Sequence, residues 1–176
     1  RPEFALEAYP LVLVIVVVIV YIGYCCYFCP VTTVLLVRHA EKSATPPQDP
    51  PLNATGQARA QTLVHVAGEA GVTAIYANQF IRTQQTVQPL ATHVGFPVNQ
   101  VDATDVEGLV DQVRSDHSGE VVLIVGHSNT IPQIIEELGG DPISPIAESE
   151  FDNMFIVTVF RLARTKVINL KYGDPS

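Results

Sequence analysis

Hydrophobic positions along this chain fall into two regimes. Leu11 to Cys29 reads LVLVIVVVIVYIGYCCYFC, apolar on every side, and no charged residue occurs between Glu7 and Arg38. From Val31 onward, short apolar runs alternate with stretches that repeat apolar residues at helical spacing, which predicts an α/β sheet of mostly parallel strands. Strands are expected near Thr33–Val37, Thr73–Ala77, Val98–Val101 and Val121–Val125, with a later pair near Met154–Arg161 and Val167–Tyr172. Helices fit between them: one capped by Thr55 and running to about Ala70, one over Arg82–Val94, one capped by Asp105 and ending near His117, and one over Thr130–Leu138. The segment SATPPQDPPLN, Ser43 to Asn53, carries four prolines and predicts a loop. The fold expected is a single three-layer α/β/α domain over 31–176, preceded by a hydrophobic helix over 1–30.

That helix, Leu11 to Cys29, would be about 28 Å long, close to the hydrocarbon thickness of a bilayer. A secretory signal fits less well, because Arg1 is offset by Glu3 and Glu7 and no small-x-small cleavage site follows the run. The segment therefore reads as an anchor, and a lone apolar helix needs lipid or copies of itself around it. Self-association through 11–29 is the other reading, although no small-xxx-small motif is present. Tyr9, Tyr21, Tyr24 and Tyr27 suit interfacial positions. Cys25, Cys26 and Cys29 read as small apolar residues or as lipid carriers. The single early basic residue, Arg1, biases the domain to the outside of the cytoplasm, so a membrane-anchored or surface-exposed protein is expected.

Composition narrows the partners. The chain has 176 residues and a formal net charge of -8, which argues against nucleic acid or an anionic membrane surface. A small anionic ligand would then need a local basic site. All three cysteines lie within 25–29, so neither a disulfide framework nor a cysteine-metal pattern holds the domain.

Such a basic site is suggested by TVLLVRHAEK, Thr33 to Lys42. In open α/β sheets ligands sit beyond the carboxyl ends of the strands, so the first strand delivers Arg38 and His39 into that crevice. VVLIVGHSNT does the same with His127, where Gly126 would permit a tight turn and the helix starting near Thr130 would offer N–H groups to an anion. YANQFIRTQQT puts Arg82 near another helix start. Two arginines, two histidines and a helix N-terminus at one place call for phosphate. Taken singly, each histidine is more often a buried structural residue and Arg82 more often a surface ion pair; it is their meeting at strand ends that points to an anion site. His65, His93 and His117 read as solvated or structural, and Glu136 and Glu137 as a solvated helix face.

Three motifs, Arg38-His39 after the first strand, Arg82-Thr83-Gln84-Gln85-Thr86, and Gly126-His127-Ser128, together with the helix start Leu52 to Ala60, resemble the histidine phosphatases, the phosphoglycerate mutase-like superfamily, over nearly all of Thr32 to Tyr172. The resemblance implies a metal-independent, cofactor-free phosphoryl transfer: His39 attacks phosphorus, forms a phosphohistidine and is released by water. Arg38, Arg82 and His127 would hold the phosphoryl oxygens. A neutral imidazole nucleophile requires that a backbone carbonyl fix its other N–H. Members with a His-Asp pair at the second histidine have a proton donor there; this chain has Ser128. Asp102 is the favoured donor, with Glu41 and Glu107 as candidates and Asp105 as a helix cap. Asn129, Glu41 and the stretch Glu150 to Asn153 are candidates for lining the pocket, while a helix cap and a turn before a strand explain Asn129 and 150–153 equally well. The chain has room for only two lids, Ser43–Asn53 and Gly139–Asp152, which favours a phosphatase acting on a phosphorylated small molecule or a phosphoprotein over a mutase. A structural subunit of a membrane-bound or filamentous assembly, with the domain as decoration or phosphate-ligand binder, is the alternative.

Overall fold

A computed structural model describes residues 8–28, 31–161 and 163–176, with side chains at 10–24 in the first of these segments. The chain divides into two compact units, Arg1–Pro30 and Val31–Ser176.

The first unit contains α1, Ala8–Phe28. The fifteen residues at 10–24 are all exposed, from Val18 at 47% to Tyr21 at 66% among the large apolar ones. Those fifteen residues cover about 22 Å. Among the described residues no helix is long and apolar enough to cross a membrane, so the span expected over Leu11–Cys29 is not met there. Tyr9, Tyr27 and the three cysteines, on which the anchoring and lipidation readings partly rested, lie outside the side chains described.

The second unit carries β1 (Thr32–Arg38), α2 (Ala54–Ala67), β2 (Val72–Asn78), α3 (Ile81–Val94), β3 (Val98–Val101), α4 (Val106–Asp116), β4 (Val121–Gly126), α5 (Thr130–Glu137), β5 (Asn153–Val159) and β6 (Lys166–Lys171). Six strands form one sheet in the order β3-β2-β4-β1-β5-β6. β1 to β4 run parallel, while β5 and β6 join antiparallel. The layers follow from the period of two along each strand. Val34 and Leu36 of β1 pack with Leu109, Val113, Ile131 and Ile135 of α4 and α5; Leu35 and Val37 pack on the other side with Leu63, Val87 and Leu90 of α2 and α3. Each fully buried aliphatic side chain contributes about 1.5–3 kcal/mol, so this sandwich is the main support of the site.

Two helix starts show why their residues are required. Asn53, not the expected Thr55, caps α2: its Oδ1 accepts from Gly56 N–H at 2.9 Å. Gly56 packs onto the backbone of the segment after β1, where an added Cβ would lie 2.1 Å from Glu41 O. Asp105 caps α4 as expected, accepting from Gly108 N–H at 3.0 Å.

Candidate active site

Register places the two histidines side by side. Parallel β1 and β4 are neighbours, with Arg38 opposite Gly126, and His39 N–H donates to Gly126 O at 3.0 Å. The residues that follow, His39 and His127, have ring centroids 5.1 Å apart at an interplanar angle of 66°. β2 flanks β4 on the other side, so its last residue, Asn78, emerges beside His127. Gly126 is needed for close approach: it has no positive φ, and a Cβ there would lie 2.9 Å from Thr130 Oγ1, which accepts from His127 N–H. The tight turn expected at Gly126 is thus replaced by a close-packed one. The first N–H groups of α5, on Thr130 and Ile131, donate to His127 O and so brace the histidine turn instead of remaining open for an anion.

Both rings have one nitrogen assigned by a partner. His39 Nδ1–H donates to Ala40 O at 2.8 Å, which leaves the Nε2 lone pair for an electrophile. Burial pushes His39 down to about 3, with His127, Arg38 and Arg82 acting in the same direction, so the ring is neutral near pH 7. Asn78, 4% exposed, accepts through Oδ1 from Phe80 N–H and so turns Nδ2 to donate to His127 Nε2 at 2.8 Å. His127 therefore carries its proton on Nδ1, and burial together with Arg82, Arg38 and Lys42 pushes it down to about 4.

The arginines are held from outside the histidine pair. Arg38, 2% exposed, donates through Nη1 to Ala147 O, Glu148 O and Glu150 O, and through Nη2 to Glu148 Oε2 at 2.9 Å. Arg82 lies 3.5 Å from Asp49 of the proline-rich loop, which also accepts from Ile81 N–H at the start of α3. Burial lowers both guanidinium groups, partly offset by Glu148 on Arg38 and by Asp49 on Arg82. The Nε–H groups of both are buried without a hydrogen-bond partner. Phe151 lies under Arg38 and beside His39, and Phe80 under Arg82 and beside His127.

The R-T-Q-Q-T run is explained residue by residue. Thr86 Oγ1 accepts from Ala40 N–H at 2.9 Å and fixes the segment after His39; Gln85 Oε1 accepts from Leu52 N–H and holds the end of the proline-rich loop; Gln84 donates to Asn78 O. Four of the expected residues, Arg38, His39, Arg82 and His127, thus come together. Asn129 stands exposed at the start of α5 and makes no cap bond, open to a ligand. Among the described residues, none of the acids expected as donors is hydrogen-bonded to these four. Asp102 Oδ1 accepts from Thr104 N–H and Oγ1, because it terminates β3 in a local turn. Glu41, expected to bind substrate, is held by Arg59 through three hydrogen bonds; burial works to raise its carboxyl, and Arg59 outweighs it and keeps it low. Glu107 is exposed in the first turn of α4. Among the described residues no group of three or more His, Cys, Asp or Glu could hold a metal ion.

Asn78, Phe80, Phe151 and Glu148 are the site residues that sequence reasoning missed or left open. Asn78 had a signal, since it ends a strand as Arg38 does. Glu148 had none, standing 110 residues from Arg38 in a loop without a motif.

The model of the histidine phosphatase superfamily (branch 1) matches residues 34–105. No curated protein matches the chain in sequence. Among solved structures, the protein histidine phosphatase SixA complexed with tungstate has a TM-score of 0.63 at 15% identity, covering 79% of this chain and 96% of that one. A mycobacterial glucosyl-3-phosphoglycerate phosphatase in complex with VO3 has a TM-score of 0.65 at 12% identity, covering 80% and 99%. Mycobacterial hydrolase 2 has a TM-score of 0.64 at 12% identity, covering 83% and 94%. At these identities the structural likeness concerns the fold alone. From β1 to the cap of α4 the chain is similar to the histidine phosphatase superfamily (branch 1), and its sheet order and histidine pair are in keeping with that similarity.

Proposed function

We propose that this chain is a metal-independent phosphomonoester hydrolase working through a phosphohistidine on His39. The observation that carries the reading is the pair of buried, unpartnered Nε–H groups on Arg38 and Arg82, flanking two neutral histidines. A buried donor without an acceptor costs about 1–3 kcal/mol, and a tetrahedral oxyanion between the arginines would satisfy both at once. SixA with tungstate and the mycobacterial phosphatase with VO3 hold oxyanions on the same fold, which supports that ligand class.

In the proposed sequence the His39 Nε2 lone pair attacks phosphorus and the bond to the leaving oxygen breaks. Water then attacks the phosphohistidine, the P–N bond breaks, and phosphate leaves. The Nε–H groups of the arginines and Nδ1–H of His127 meet the phosphoryl oxygens as charge builds on them. Asp102 and Glu41, the favoured donor and one of the other candidates, hydrogen-bond elsewhere, so substrates with weakly basic leaving groups fit best. Phosphate release by the full chain from an aryl phosphate and from a phosphohistidine protein, with and without His39→Ala, tests the reading. Release that persists in the variant, or no release from either, rejects it and leaves a phosphate-binding or decorating domain.

A second reading concerns α1, favoured by its fifteen exposed, uncharged residues. We propose that they are covered by lipid or by copies of the same helix, tethering the domain. Flotation with neutral vesicles and sedimentation of the full chain test this: a monomer that ignores vesicles excludes both covers.

A further inference from the structure

Arg38 and Arg82 each reach outward to a carboxylate supplied by one of the two loops bordering the pocket. Glu148 is the more telling. Its carboxylate bridges Arg38 Nη2 and Ser128 Oγ, both at 2.9 Å, so it spans the residues adjoining His39 and His127, and its side chain is 83% exposed at the mouth. The loop beneath it is fixed, because Arg38 Nη1 holds the carbonyls of residues 147, 148 and 150. Hydrogen bonding from Ser128, then the charge of Arg38, keeps Glu148 ionised below the usual carboxylate range.

The charges acting on the pocket can be counted. Arg38, Arg82 and Lys42 are cationic; Glu148, Glu150 and Asp49 are anionic. Glu41 is neutralised by Arg59 and does not enter the count. Three cations against three carboxylates leave the free pocket balanced. A phosphoryl dianion gains by meeting the two orphaned Nε–H groups, while a second anionic group on its carrier would meet the ionised Glu148 at the mouth, where exposed Lys42 is the weaker opposing charge.

Building on the phosphatase reading, we propose that Glu148 is a specificity-determining residue that selects a phosphoryl group borne on a carrier without a second anionic group, whether a neutral alcohol or a protein side chain, and rejects carriers bearing a carboxylate or a further phosphate beside it. The repulsion acts on the carrier and leaves the chemistry at phosphorus unaltered, so it appears mainly in KM.

The test is hydrolysis of phenyl phosphate and 3-carboxyphenyl phosphate by the full chain, aryl esters that differ by one carboxylate. Wild type is expected to favour phenyl phosphate in kcat/KM. Glu148→Gln, which keeps the shape of the side chain, is expected to narrow that preference by roughly three- to fivefold, mostly through KM of the anionic carrier. Raising the salt concentration should narrow the wild-type preference and leave the variant's nearly unmoved. Equal efficiency of wild type on both substrates overturns the inference, as does a preference that Glu148→Gln leaves unchanged; both outcomes leave the phosphatase reading standing. Absence of His39-dependent release from either substrate sinks the phosphatase reading, and this inference falls with it.

Discussion

The two ends of this sheet hold histidines in opposite conditions. At the amino ends of the strands His117 is satisfied on both nitrogens: Nδ1–H donates to Glu120 Oε2 at 2.8 Å, and Nε2 accepts from the Tyr76 hydroxyl at 2.8 Å. At the carboxyl ends, His39 and His127 face each other and two arginines, neither ring is hydrogen-bonded to a carboxylate among the described residues, and burial drives both below their ordinary value of 6.5. The same side chain is a fastening where its partners are complete and a reactive group where they are withheld. Incompleteness of hydrogen bonding, more than residue type, marks the functional end.

The comparison breaks if both ends respond alike to substitution. His39→Ala is expected to lower kcat/KM at least about a thousandfold with little change in Tm, as for removal of a nucleophile. Comparable activity in the variant would place the chemistry elsewhere.

Asn78→Asp comes next. A carboxylate cannot donate to His127 Nε2, so that nitrogen would take a proton and the charged ring would gain a partner like the one His117 has. Because the neutral ring would then carry its proton on Nε2 and present no Nδ1–H to the phosphoryl group, a loss of about ten- to a hundredfold at neutral pH is expected, with the acid limb of the kcat/KM profile moved upward by about one pH unit. An unmoved limb would show that Asn78 does not set the protonation of His127.

Acid stability sharpens the contrast further. The folded value of His39, about 3, lies below its unfolded value of 6.5, so the unfolded chain binds more protons between them. The associated stability is complete above about pH 6.5 and is lost as pH falls toward 3. Urea midpoints at pH 7 and pH 5 should fall further for wild type than for His39→Gln, by about 1–2 kcal/mol. Equal falls would contradict the neutral, buried ring.

The smallest effect belongs to the other end. Tyr76→Phe removes the donor to His117 Nε2 and should cost about 1 kcal/mol in stability while leaving kcat/KM within about twofold. A large loss of activity would mean that the ends of the sheet are coupled.

Legibility in the sequence followed the reach of the signals. Strand positions were readable because buried parallel strands are continuous apolar runs, and Arg38, His39 and His127 because strand ends deliver their next residues to one crevice. The helix cap moved from Thr55 to Asn53, since either side chain can cap and only the packing of Gly56 on Glu41 decides between them. The acids were the weak point. Glu41 and Asp102 stand where a donor could be, but whether a carboxylate faces a pocket depends on a distant competitor, Arg59 for one, and on a local turn at Thr104 for the other. Glu148 joined the site through contacts across more than a hundred residues of sequence, beyond any local pattern. For α1 the apolar pattern was plain and its partner was not, because a uniformly apolar helix does not specify what covers it.

The central claim is the covalent role of His39, and rapid quenching of turnover with an aryl phosphate tests it most directly. Peptide mapping of the denatured protein should find one phosphoryl group on the peptide containing His39, labile to acid and stable to base, accumulating within the first turnover and absent from His39→Ala. Steady phosphate release with no covalent phosphate on that peptide, or with phosphate on another residue, would contradict it.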